Sequence, residues 1–443
     1  MIDLNWIRAD PERAAAALAK RGPRTEFHQV LAWDDQRREL ITETDRLRAR
    51  RNEVSSQIPR RKQGGEDVQP LFEEMRGVGQ RIKTLDEDRS VLERRIREFL
   101  EQLPNVPDDD VAGGGKEHNR VLHAWSEQPP YDFDPRDHLT LADSLGLIDF
   151  ERGAKVAGSG FWIYRGAGAL LEMALINYCI SRNVAAGYEL MLLPHLVNAQ
   201  CGYVSGQFPK FGQDVYRLAA GQDSDGGDTV STAEAAEGSD GQILIPTSET
   251  VLAAIHQDEI IAADTLPRKY CAFTPCYRRE AGSYRSHDRG TIRGHQFHKV
   301  ELFQYVAPDQ SDAALAGMVE HAESLVRDLG LHYRVSQLAA GDCSAAAAKT
   351  CDIEVWIPSM GSYEEVSSAS NTRDYQSRRG RIRTRGASGT ALVHTLNASG
   401  LATSRLLPAL LERYQRADGG VTVPEVLRPF CGLESITPGA GAG

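Results

Sequence analysis

A chain of 443 residues, 41% hydrophobic and 26% charged, can bury a large core and divide into two or three domains, which excludes a disordered or membrane-embedded protein. Its seven cysteines are scattered without a CxxC pair, against a zinc ribbon or a disulfide framework, and read as reduced thiols. The net charge of −11 argues against indiscriminate nucleic-acid binding, yet leaves room for a local basic surface that grips one polyanion.

The opening MIDLNWIRADPE lacks the basic start and apolar core of a signal peptide, and no run of about 18 apolar residues could cross a bilayer. The expected address is cytoplasmic, with no membrane partner. Between residues 27 and 103 two helical arms are expected. Trp33, Leu40, Leu47 and Val54 recur every seven residues; Leu71, Val78, Leu85, Leu92 and Phe99 do so again, with Met75, Ile82, Ile96 and Leu103 four places on. The break IPRRKQGGEDVQP, with two prolines and a Gly-Gly, predicts that the second helix folds back as an antiparallel coiled-coil hairpin. Arg48, Arg50, Arg51, Arg60, Arg61 and Lys62 crowd its first helix and tip. On an isolated rod such cations form a solvated face; on a protruding arm they grip phosphates. The Pro/Gly/Asp-rich stretch LPNVPDDDVAGGGKEHN closes an N-terminal domain expected over 1–110, ahead of a second over 111–443.

The second part alternates short β-rich runs with helical stretches and carries hairpin patterns such as CDIEVWIPSMGSYEEVSS, which favours a mixed α+β domain over βαβ repeats. No GxGxxG follows a strand and no GxxxxGK[ST] occurs, so a bound nucleotide would not sit on a Rossmann turn or a Walker loop. The acidic stretch 219–241 has the composition of a flexible, solvated insert. In CYRRE, extended backbone would point Arg278 and Glu280 to one face and Tyr277 and Arg279 to the other. A Gly/Ser/Arg-rich loop follows, and the returning run QFHKVELFQYV carries Phe297 and Glu301. An arginine fork suits an α-phosphate and a phenyl face suits a base, although the same residues also fit an ordinary hairpin with cross-strand ion pairs. His287, His295 and His298 lie close by without a third ligand at convincing spacing, which favours hydrogen-bonding or packing roles over a metal.

Taken together these stretches resemble the motifs of class II aminoacyl-tRNA synthetases, and their wording is similar to the bacterial-type seryl-tRNA synthetases. LMLLPHLVNAQ resembles motif 1, YRREAGS with its returning run motif 2, and LNASGLATSRLL motif 3. IPTSE resembles that family's serine-binding Thr-x-Glu loop and YEEVSSASNTRDYQSRR its Glu-x-Ser-Ser segment; the opening residues, the arm and the closing VPEVLRPF also match. The resemblance implies a class II core, with an antiparallel sheet flanked by helices, behind the arm. It further implies a homodimer that uses L-serine, ATP with Mg2+ and serine tRNA, without zinc.

Carried over to this sequence, Thr247, Ser248 and Glu249 would meet the serine, Thr247 and Glu249 holding its amino group. Glu301 would lie under the substrate and Ser399 would close the side-chain pocket. Arg278 would grip the carboxylate and the α-phosphate, Glu280 would fix the adenosine end, and Phe297 with Arg405 would sandwich the adenine; Arg278, Glu280 and Arg405 are thus the expected catalytic set. Gly294 would offer a backbone contact to the nucleotide, Arg279, Val366 and Ser367 would join the ATP site, and Glu365 and Ser368 would order the magnesium. Arg48, Arg50, Arg51, Arg60, Arg61 and Lys62 would clasp the tRNA. The chain departs from the family's pattern at the loop tip from Tyr284 to Asp288, at Ser404 before the arginine of motif 3, and at Pro408 inside an expected helix, which would start late or kink. Two alternatives stand beside a working synthetase: a paralogue supplying seryl-tRNA or seryl-adenylate to a biosynthetic or antibiotic-resistance pathway, and a catalytically silent tRNA-binding relative. Intact Arg278, Glu280, Glu301, Glu365, Ser399 and Arg405 argue against the silent one.

Overall fold

A computed structural model describes residues 1–128, 130–218, 241–280, 290–387 and 389–438. The expected acidic insert, apart from Gly241, and the loop tip with Tyr284 and His287 lie outside the described residues. The chain forms two compact units, one of residues 2–19 and 23–104, the other of residue 1 with 20–22 and 105–443.

In the first unit two long helices, α1 (His28–Gln63) and α2 (Gln69–Glu101), form the expected hairpin. Val54, Ile82, Leu85, Leu92, Ile96 and Leu103 of the heptad seam are buried, and Trp33, Leu40, Leu47 and Phe99 are half-buried. The break is shorter than its composition suggested. Helix α1 runs through Pro59 to Gln63, so Arg60, Arg61 and Lys62 form its last turn and not a loop; there their charge opposes the negative end of the helix dipole. Pro59 withholds a donor from the carbonyl of Ser55, but that residue is exposed and water can serve it. Asp34, beside the seam residue Trp33, is buried where hydrophobic periodicity gave no sign of it: it pairs with Arg8 at 2.7 Å and Arg37 at 2.5 Å.

The second unit is built on an eight-stranded sheet: β1 (Arg120–Trp125), β2 (Glu189–Met191), β3 (Arg268–Tyr277), β4 (Gln296–Val306), β5 (Tyr333–Gln337), β6 (Lys349–Ile357), β7 (Ser362–Arg373) and β8 (His394–Ala402). The strands lie in the order β1-β5-β6-β7-β8-β4-β3-β2. All pairs are antiparallel except β2 with β3, so the expected α+β core with an antiparallel sheet is present. Helices α3 (Gly166–Ala185), α4 (Ser311–Asp328) and α5 (Thr403–Arg413) pack against it. The pleat of β4 sorts its residues: Val300, Leu302 and Val306 join the core made with the helices, while the intervening Phe297 and Lys299 open on cavities of the other side, with Glu301 between Lys299 and the buried Phe303 and Tyr305.

Helix α5 neither starts late nor stops at Pro408: it begins at Thr403 and runs across the proline. Pro408 has no N–H for the carbonyl of Ser404, four residues back, and this carbonyl is buried. The hydroxyl of Thr291, itself buried, donates to it at 2.6 Å. The helix therefore continues past the proline with the orphaned carbonyl satisfied by another segment.

Candidate active site

The turn Ile245–Glu249 brings Thr247 and Glu249 against β4. The Thr247 hydroxyl donates to Glu301 Oε2 at 3.3 Å, Asn397 of β8 donates to Glu301 Oε1 at 3.2 Å, and Lys299 makes an ion pair with the same carboxylate. Glu301 is wholly buried beneath this floor. Above it a cavity of about 260 Å³ is lined by Thr247, Glu249, Arg278, Lys299, Glu365, Ser368, Asn397 and Ser399. Burial and the charge of Glu301 push the Glu249 carboxyl up to about 7, against the favourable influence of Lys299, of an amide from Gln376 and of Arg278.

A second cavity, of about 80 Å³, is lined by Arg278, Glu280, Gly294, Phe297, Glu365, Ser399 and Arg405. Arg278, Lys299, Glu365 and Ser399 belong to both, so the two spaces meet at one wall. The Arg278 guanidinium stands 5.2 Å from the centre of the Phe297 ring and its Nε donates to the carbonyl of Pro246 at 3.3 Å. Arg405 donates to the Glu365 carbonyl at 2.9 Å and pairs with its carboxylate at 3.2 Å. Burial works against the Arg405 charge, but Glu365 and Glu364 more than restore it.

Glu365 and Ser368 are three residues apart, which on a regular strand would put them on opposite faces. The ladder between β6 and β7 pairs Asp352 with Ser368, Ile353 with Ser367 and Glu354 with Glu365, leaving Val366 as a bulge residue. The bulge turns Glu365 onto the cavity face beside Ser368 and sends Val366 into the core. Behind them Asp352, largely buried, has an Oδ1 without a hydrogen-bond partner among the described residues, and burial and Glu365 push its carboxyl well above the usual range. The oxygen donors of Glu365 and Ser368 fit a hard divalent cation that arrives with phosphates.

Some expected site residues are not brought to the cavities. Ser248 is buried with its hydroxyl 2.7 Å from that of Thr274, and Ser367 donates to the carbonyl of Ser399 at 2.5 Å. Strand β3 ends at Tyr277 and Glu280 has φ 48°, so CYRRE is not extended throughout. Arg278 and Glu280 nonetheless line one cavity, Glu280 pairing with Arg293 at 2.6 Å, while Arg279 is exposed and donates its backbone N–H to the carbonyl of Asp214 at 2.8 Å. His295 and His298 take hydrogen-bonding roles, on the carbonyl of Arg278 and the carboxylate of Glu172, both at 3.0 Å. Sequence reasoning missed Lys299, Asn397, Asp352 and Gln376. Lys299 and Asn397 were findable, since each stands two residues from an expected ligand on the same strand, Glu301 and Ser399.

An antiparallel sheet carrying a motif 2 hairpin, a bulged motif with glutamate and serine, and an arginine at the start of a motif 3 helix together define the catalytic core of a class II aminoacyl-tRNA synthetase. Residues 232–414 match the tRNA synthetase class II core domain (G, H, P, S and T), and residues 1–107 match the Seryl-tRNA synthetase N-terminal domain. The chain belongs to the seryl-tRNA synthetase family. It is 49% identical over 439 residues to "Serine--tRNA ligase 2" of Clostridium acetobutylicum, covering 98% of this chain and 100% of that one. It is 42% identical over 442 residues to "Serine--tRNA ligase" of Thermodesulfovibrio yellowstonii, covering 98% and 100%. Seryl-tRNA synthetase from Pyrococcus horikoshii, solved with ATP, superimposes with a TM-score of 0.87 at 33% identity, over 99% of this chain and 100% of that one. The cytoplasmic serine-tRNA ligase of Naegleria fowleri, solved with AMP, gives a TM-score of 0.83 at 25% identity, over 98% and 97%.

Proposed function

We propose that the chain activates L-serine with ATP to seryl-adenylate and transfers the seryl group to the 3' end of serine tRNA. One observation carries this reading: the two cavities share Arg278, so a single guanidinium fork can hold the amino-acid carboxylate and the α-phosphate at the wall where they meet. In the first step a carboxylate oxygen attacks the α-phosphorus, the bond to the β-phosphate oxygen breaks and pyrophosphate leaves. The two reactants are anions, so Arg278 and Arg405 act by charge neutralisation and by holding the line of attack, and no proton needs to move. In the second step a terminal ribose hydroxyl attacks the acyl carbon, its proton passes to a phosphate oxygen of the departing group, and the bond from the acyl carbon to the phosphate oxygen breaks as AMP leaves with the bonding pair.

Thr247 and Glu249 take the serine ammonium, and Glu301 with Ser399 takes the hydroxyl; Phe297 and Arg405 flank the adenine, Glu280 and the backbone at Gly294 fix the nucleoside. Alanine is refused because it leaves these polar groups unpaired, a loss that approaches about 10⁴-fold in sites built for a hydroxyl. Glu365 and Ser368 would hold Mg2+, which supplies charge neutralisation at the phosphates when bound. The enzyme works in the cytoplasm as a homodimer, a reading supported by exposed Leu190, Leu192 and Leu196 in the segment that resembles motif 1. On the arm, Arg48 pairs with Asp86 at 3.0 Å and Arg50 with Glu74 at 3.2 Å, while Arg61 lies 3.6 Å from Glu66. Exposed Arg51, Arg60 and Lys62 have no ion pair among the described residues, which makes them the readiest phosphate contacts.

The test is serine-dependent exchange of pyrophosphate into ATP, run with serine, threonine, alanine and glycine, followed by charging of serine tRNA. Exchange with serine and charging support the reading; no exchange with any of the four would sink it.

A further inference from the structure

Gln376, in the short helix Tyr375–Gly380 that follows β7, is wholly buried. Its Nε2 donates in two directions, to Glu249 Oε1 at 2.8 Å and to the carbonyl of Ser205 at 2.9 Å. The other end of the amide is fixed as well. The Thr395 hydroxyl donates to Gln376 Oε1 at 2.8 Å, and the Thr372 hydroxyl lies 3.4 Å from the same oxygen. A flipped amide would set its oxygen against both the Glu249 carboxylate and a carbonyl, so only one orientation satisfies every group. Glu249 is thus held through one oxygen, and its Oε2 has no hydrogen-bond partner among the described residues although the carboxylate lines the amino-acid cavity.

We propose that Gln376 is a positioning residue for the amino-acid substrate: by gripping Glu249 Oε1 and the Ser205 carbonyl in one fork, it fixes the carboxylate so that Oε2 meets the substrate ammonium. The proposal rests on the reading of this cavity as the serine site. Two consequences separate it from a purely structural role. Ground-state binding of the amino acid depends on the aim of Glu249, whereas the ATP side, built on Phe297, Gly294 and Arg405, does not touch Gln376. The amide also favours the charged carboxylate, together with Lys299 and Arg278, against burial and Glu301, the groups that face Glu249 from β4 and the end of β3. Loss of the amide therefore moves the ionisation of Glu249 to higher pH.

The experiment compares wild type, Gln376→Met and Thr395→Val in serine-dependent pyrophosphate exchange across pH 5.5 to 9, with serine binding measured by calorimetry without ATP. Gln376→Met is expected to raise the serine KM and the serine Kd on the order of tenfold, the scale of one missing bond to a charged group, with ATP KM and kcat near wild type. The ascending limb of kcat/KM for serine shifts to higher pH. Thr395→Val, which removes the hydroxyl that fixes the amide oxygen together with its contact to the Thr372 hydroxyl, moves the same quantities the same way by less, and decides the matter if Gln376→Met does not fold. An unmoved serine KM and pH limb in either folded variant overturns the proposal, as does a common fall in kcat, serine affinity and ATP affinity. Wild-type protein that exchanges with ATP and another amino acid but not serine would instead remove the functional reading beneath it.

Discussion

The bond from Thr291 to the Ser404 carbonyl can be tested by removing its donor and then removing the need for it. Thr291→Val keeps the shape of the side chain and leaves a buried carbonyl, orphaned by Pro408, without a partner. Such a group costs about 1–3 kcal/mol. Pro408→Ala restores a backbone N–H at the position four residues on and removes a helix-interior proline, worth about 3 kcal/mol in an exposed helix before the packing of the proline ring is deducted. In the Pro408→Ala background the Thr291 hydroxyl has a competitor, so Thr291→Val should cost less there by about 1–2 kcal/mol. The assay is a double-mutant cycle on urea midpoints at a shared m-value, read by a probe in the core and not by the helical signal of the arm. A companion effect is expected at ATP. Arg405 follows Ser404 directly and donates to the carbonyl of Ile292, which follows Thr291, at 3.4 Å. Thr291→Val alone should therefore raise the ATP KM several-fold and leave the serine KM unchanged. Additivity of the two substitutions within about 0.5 kcal/mol would refute the idea that Thr291 stands in for the missing helix donor.

The serine step should depend on pH through Glu249. Its carboxyl is held up to about 7, and only the carboxylate attracts an ammonium, so kcat/KM for serine in pyrophosphate exchange should climb to about pH 7 and level off; Glu249→Gln should flatten that limb. The sign for stability is opposite: a carboxyl whose folded pKa is raised binds more protons folded than unfolded, so this group loses stabilising effect as pH rises from the ordinary value of 4.5 towards 7, visible as a lower melting temperature in wild type relative to Glu249→Gln. A Cβ at Gly294 would lie 2.2 Å from the Trp162 ring and 2.8 Å from the Gly160 carbonyl oxygen, so Gly294→Ala should destabilise the core by about 1–3 kcal/mol and raise the ATP KM; unchanged melting and ATP KM would show that the ring moves aside freely. Replacing Arg51, Arg60 and Lys62 by glutamine should lower the salt dependence of tRNA binding by about one unit for each phosphate no longer neutralised, without changing pyrophosphate exchange, measured by filter binding from 50 to 300 mM salt.

Period and motif made much of this molecule legible. Seven-residue spacing predicted the arm because a coiled coil is a repeating contact, whereas the expectation that Glu301 lies under the substrate comes from the family resemblance and not from alternation. What stayed hidden depends on contacts between distant segments. Two prolines look alike in sequence and both sit inside helices, yet Pro59 leaves a carbonyl in an exposed turn while Pro408 leaves one in the core. Only the second needs Thr291, which lies 113 positions from Ser404 in sequence, and nothing local announces that partnership. Gln376 lies within a segment that resembles a family motif but carries no outward sign of its link to Glu249, since the bond spans 127 positions. Asp34 stayed hidden for the converse reason: a charged residue beside a heptad seam reads as solvent-facing until Arg8 and Arg37 are seen to pair with it.

The bulge at Val366 shows how a short irregularity can set the chemistry of a whole wall. Without it, Glu365 and Ser368 would face opposite sides of β7, and one of them would be driven into the core that Val366 now fills. With it, Glu365 reaches two partners of opposite character. Its carboxylate would offer an oxygen to a cation at the phosphates, and its carbonyl and carboxylate together hold Arg405 at 2.9 and 3.2 Å. In the proposed function Arg405 at the adenine and the cation at the phosphates would thus share one anchor. A cation held by Glu365 would compete with Arg405 for the same negative charge, and the bond from Arg405 to the Glu365 carbonyl at 2.9 Å, which does not use the carboxylate, would remain to hold the guanidinium.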